Sequence, residues 1–71
     1  MNKSDLLNQA FLFGAEARAN HRKHSVPNKD DREDLIAVAG VKNWGDIPLI
    51  LRFKIYKTFA EGYDSEEKFY L

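Results

Sequence analysis

Asp46-Ile47-Pro48-Leu49-Ile50-Leu51-Arg52-Phe53-Lys54-Ile55-Tyr56-Lys57-Thr58-Phe59-Ala60-Glu61 is the stretch on which the fold turns. Asp46 is a good helix cap, and Pro48 falls in a first turn, where a missing N–H costs nothing. From there the apolar residues recur at helical spacing to Glu61, and Gly62 reads as a residue just past the helix end. On a helical wheel, Leu49, Phe53, Tyr56 and Ala60 share one side, and Leu51, Ile55 and Phe59 share another. Only Lys54, Lys57, Thr58 and Glu61 form a clearly polar arc. A helix that is apolar over more than half its circumference normally lies at the centre of a larger protein. In so short a chain, an apolar flank is expected to stay open.

Working outward, Ser4 reads as the cap of a first helix, with Asp5 at the positive end of its dipole. Leu6, Ala10, Phe13 and Ala17 make its apolar stripe, widened by Leu7, Phe11 and Gly14, and Arg18, His21, Arg22 and Lys23 suit its negative end. Pro27 disfavours helix at Val26. Asn28 can cap a second helix whose first turns hold Asp30, Asp31, Glu33 and Asp34, and Gly40 can end it. Periodicity alone does not separate Leu35–Ala39 from a buried strand; the acidic start and the glycine favour helix. Val41 to Gly45 reads as a loop, with Gly45 free to take a positive φ. Asp64-Ser65-Glu66-Glu67 could start a short terminal helix ending in Phe69-Tyr70-Leu71. The expectation is a compact all-α domain of three helices, at about residues 4–23, 29–39 and 46–61, with room for a short C-terminal helical turn.

Composition bounds the function. The chain has 71 residues, 11 Lys+Arg against 11 Asp+Glu, and no cysteine. Disulfides, thiolate zinc sites and a cysteine nucleophile are therefore excluded, and a uniformly basic nucleic-acid binder is disfavoured. Scaling of area with mass gives a folded surface of roughly 4,500 Å², so about 60% of the unfolded surface is hidden. Chains with so thin a margin usually need unusually good packing or a partner. No secretory leader is apparent, and no apolar run approaches the roughly 20 residues of a membrane span, so a cytoplasmic protein with no membrane partner is expected. Met1 suggests a complete product.

Charge alternates in blocks: residues 16–29 are basic, 30–34 acidic, 42–57 basic and 61–67 acidic. Helix ends obeying the dipole rule explain most of this pattern. His21 and His24, with Asp30 and Asp31 nearby, lack a third ligand at a recognisable spacing, and Asp30–Asp34 lacks the layout of a calcium loop. The serines have no glycine elbow, and the four glycines are scattered. No catalytic residue, metal ligand or cofactor is assigned, and an enzyme is not expected.

Gly40–Gly45 resembles the turn of a helix-turn-helix, but the following Ile47-Pro48-Leu49-Ile50-Leu51 offers no donors to base edges. What remains is a non-catalytic interaction protein, with Trp44, Leu51, Arg52, Ile55, Tyr56, Phe59 and Tyr63 as the candidate surface for a protein partner or a second copy. Tyrosine and arginine beside aliphatic residues are typical of binding hot spots. Short chains of this kind often regulate or inhibit a larger machine, as do those encoded by mobile elements. The alternative is a nucleic-acid accessory protein using Arg18, Arg22, Lys23, Lys29, Lys54 and Lys57, which a DNA titration at two salt concentrations would detect.

Overall fold

The computed structural model of the chain describes residues 2–68, and the side chains of residues 2–65. Within that range the protein is all-α: α1 spans Lys3–Ala19, α2 spans Lys29–Ala39, a 3-10 turn spans Trp44–Asp46, and α3 spans Leu49–Lys68.

α1 starts one step earlier than Ser4 suggests. The Asn2 side-chain oxygen accepts from the Ser4 and Asp5 N–H groups at 3.0 and 3.3 Å, so Asn2 and not Ser4 is the cap. The helix also stops at Ala19, four residues short of the expected 23. His21 takes φ 60, and its N–H donates to the Arg18 carbonyl at 3.0 Å while the Arg22 N–H donates to the Ala17 carbonyl at 2.9 Å. Those two bonds make a Schellman ending, with histidine where glycine is usual.

α2 forms as expected over residues 29–39. Asn28 and Asp31 cap each other's backbone, at 2.8 and 3.1 Å. Gly40 at φ 73 closes the helix through a second Schellman ending, its N–H and that of Val41 donating to the Ala37 and Ile36 carbonyls. Gly45 does not share the positive φ expected of it. It lies inside the 3-10 turn, where the Ile47 N–H donates to the Trp44 carbonyl and the Asp46 carboxylate accepts from the Asn43 N–H at 3.2 Å. Asp46 therefore closes this turn and does not cap α3, which begins at Leu49. Pro48 sits just before it and offers its carbonyl to the Arg52 N–H at 3.0 Å. Gly62 does not end α3 either, because the helix continues without a break to Lys68. A separate terminal helix from Asp64 is thereby replaced, and Phe69-Tyr70-Leu71 lies outside the described residues.

Two buried clusters fix how the helices run. Leu6 and Ala10 of α1 meet Leu51 and Ile55 of α3, together with Leu35, Ala39 and Ile47. Ala17 of α1 meets Phe59 and Tyr63 of α3, and Phe13 packs against both clusters. First halves pair with first halves and second halves with second halves, so α1 and α3 point the same way and the intervening α2 returns the chain between them.

Two glycines set the closeness of the α1–α3 seam. A Cβ on Gly14 would lie 2.0 Å from the Phe59 carbonyl oxygen, and one on Gly62 would lie 2.1 Å from that of Phe11. Only glycine lets the two backbones approach so far. At that separation Cα–H groups can face carbonyl oxygens across the seam.

Candidate interaction face

Rotation of α3 about its own axis is set by that seam. With Gly62 against the α1 backbone, Leu51, Ile55, Phe59 and Tyr63 turn inward and are buried. Leu49, Ile50 and Phe53 are left facing solvent, at 56%, 71% and 64% exposure. Spaced at i, i+1 and i+4, they cover neighbouring positions on the first turns of the helix. Asp46 lies before them along the chain, and Lys54 and Lys57 follow, all three exposed. Further along the same outer face stand Glu61 and Asp64, also exposed. The apolar surplus of α3 is thus concentrated at its N-terminal end.

An open flank exists, but it is not built from the residues that the wheel favoured. Leu51, Ile55, Phe59 and Tyr63 belong to the two core clusters. Trp44 is half-buried and meets Tyr56 edge to face, with ring centroids 6.1 Å apart, closing the junction between the 3-10 turn and α3. Arg52 is half-buried too, and its Nε is shielded from water with no hydrogen-bond partner among the described residues. Leu49, Ile50 and Phe53 were missed because a mostly apolar helix gives no internal mark of which side faces out. The signal that could have found them was the pair Gly14 and Gly62. A glycine inside a helix costs about 1 kcal/mol relative to alanine, so two of them in apolar stripes imply a close crossing that orients both helices.

The two arginines of the basic stretch are engaged within the molecule. Arg18 Nη1 donates to the Tyr63 hydroxyl at 3.5 Å, and its guanidinium lies 5.2 Å from the centre of the Tyr63 ring. Arg22 makes a 2.8 Å ion pair with Asp31, donates to the Val26 carbonyl at 3.4 Å, and stacks over Phe59 at 5.7 Å. Its own carbonyl accepts from the Tyr63 hydroxyl. Arg22 thus ties the end of α1, the connection and the start of α2 to α3. Lys23, Lys29, Lys54 and Lys57 are exposed, with Lys29 4.0 Å from Glu33 on α2.

Around this knot is an open cleft of about 580 Å³ lined by Arg18, His21, Arg22, Lys23 and Tyr63. Arg22 is paired there with Asp31 and Arg18 donates to the neutral Tyr63 hydroxyl, while Lys23 is exposed; among the described residues no carboxylate, serine or cysteine lines the cleft. Among the described residues no group of three His, Cys, Asp or Glu is placed to hold a metal ion. No described helix is long and apolar enough to cross a membrane.

No family model, curated protein or solved structure matches the chain.

Proposed function

We propose that this is a small non-catalytic interaction protein that docks onto protein through the first turns of α3, in the manner of a regulator or inhibitor of a larger assembly. One observation carries the proposal: Leu49, Ile50 and Phe53 are adjacent, large, apolar and more than half exposed. Elsewhere among the described residues the exposed large apolar side chains are scattered, with Leu12 on α1, Val26 in the connection and Val38 on α2. Isolated ones are ordinary on a soluble surface, whereas a contiguous group rimmed by charge is what interaction sites show. Aromatic Phe53 is the natural anchor. A nucleic-acid role draws less support, because Arg18 and Arg22 spend their charge inside the fold.

The test is a photoreactive phenylalanine analogue at position 53, irradiated in the cells that make the protein. The expected result is a discrete adduct that is absent when the analogue sits at Asn8, an exposed position on α1. The partner, identified by mass and purified, then loses binding to Phe53→Glu. Irradiation that yields no adduct beyond the Asn8 control overturns the proposal.

A further inference from the structure

We infer that the occupant of this face is an acidic amphipathic helix of a partner protein, which rests on the docking role of the face. The outward rows of α3 each begin apolar and end basic. Leu49, Phe53 and Lys57 stand four apart, and Ile50 and Lys54 make the neighbouring row, all of them exposed. Rows of that spacing are the ridges by which one helix packs into the grooves of another. Arg52, three residues after Leu49, borders the apolar group on its other flank; it is half-buried, and its Nε has no hydrogen-bond partner among the described residues. From Ile47 to Ala60 these three cations are the only charged residues. No ion pair engages any of them among the described residues. Asp46, just before them in the chain, lies in the 3-10 turn with its carboxylate on the Asn43 N–H. The first turn of α3 holds no acidic residue, so the positive end of its dipole adds to the same field.

Charge and shape together select the occupant. Apolar side chains of the partner helix cover Leu49, Ile50 and Phe53, while its carboxylates meet Arg52, Lys54 and Lys57. A second copy of the face would bring the same cations against these. A nucleic acid would answer the cations but present phosphates, not apolar surface, to the centre. An anionic membrane would lie along the whole outer face, where Glu61 and Asp64, exposed beyond Lys57, repel it. Those two carboxylates also bound the contact, which runs over about 12 Å of α3 from Leu49 to Lys57.

The test titrates the full chain, up to about 1 mM, into labelled designed peptides and reads fluorescence anisotropy. One peptide is a helix with leucines on one face and glutamates beside them; the other carries lysine at every glutamate position. The glutamate peptide is expected to bind at least about tenfold more tightly, and to weaken as salt rises from about 50 to 300 mM. Lys54→Glu combined with Lys57→Glu, both at exposed positions, keeps the helical circular dichroism and reverses the preference between the peptides. Phe53→Glu loses the glutamate peptide. Equal affinity for the two peptides, binding of neither, or a preference that survives the double reversal overturns the proposal. So does tighter binding of phosphatidylserine vesicles or of a short DNA duplex. In cells, the segment cross-linked to the position-53 analogue is expected to map to an acidic amphipathic helix. A basic or uncharged segment, or an adduct between two copies of the chain, overturns the acidic helix and leaves the docking role standing. No adduct at all removes both.

Discussion

His21 holds a φ of 60, a region that costs a residue with a Cβ about 1–2 kcal/mol, while Gly40 occupies φ 73 at the equivalent place on α2. The two positions should respond in opposite directions. His21→Gly is expected to raise stability by about 1 kcal/mol, and Gly40→Ala to lower it by about as much. In a domain of this size each change moves the thermal midpoint by about 4–8 °C, which a circular dichroism melt reads directly. Tyr63 offers a second single-atom test. Its hydroxyl donates to the Arg22 carbonyl and accepts from Arg18, while its ring stays in the core. Tyr63→Phe keeps the ring and strands a carbonyl, so a urea titration should show a loss of about 1–2 kcal/mol at unchanged slope.

Among the elements, the α1–α3 seam tolerates least. An alanine at Gly14 or Gly62 would place a methyl about 2 Å from a backbone carbonyl oxygen, which no rotamer change can relieve. The helices must part and the core must follow. Either substitution is expected to cost about 3 kcal/mol or more, read as a collapse of the urea midpoint, whereas Gly45→Ala, with no neighbour within 4 Å, should be nearly silent. How well each element could be read from the chain follows from where its determinants lie. Asn28, Asp31 and Gly40 act on their own helix, so both ends of α2 were legible. The end of α1 was not, because the chain turns at a histidine and is held there by Tyr63, forty-odd positions away. In α3 the helix itself was plain, but both ends lie later in the chain than the local signals suggest, at Leu49 and Lys68, Gly62 being claimed by the seam and Asp46 by the 3-10 turn. The excess of apolar surface was legible as a quantity. Its location at Leu49, Ile50 and Phe53 was not, since only the approach of a second backbone orients the wheel.

At the scale of the molecule, the interior and the outer face should separate cleanly under mutation. Phe59 is wholly buried and large, and Phe59→Ala is expected to cost about 3–5 kcal/mol, a large part of the stability of so small a domain. Phe53→Glu should change stability by no more than about 0.5 kcal/mol while abolishing docking through the outer face. Chemical denaturation of both variants, beside photocrosslinking at position 53, makes the comparison. The tight seam also bears on how the protein is made. Gly14 is translated early and Gly62 late, and the first helix has no comparable shelter for its oily stripe until the last one arrives. A nascent chain therefore leaves the ribosome with that stripe bare, and products stalled short of the final helix are clients for chaperones and proteases.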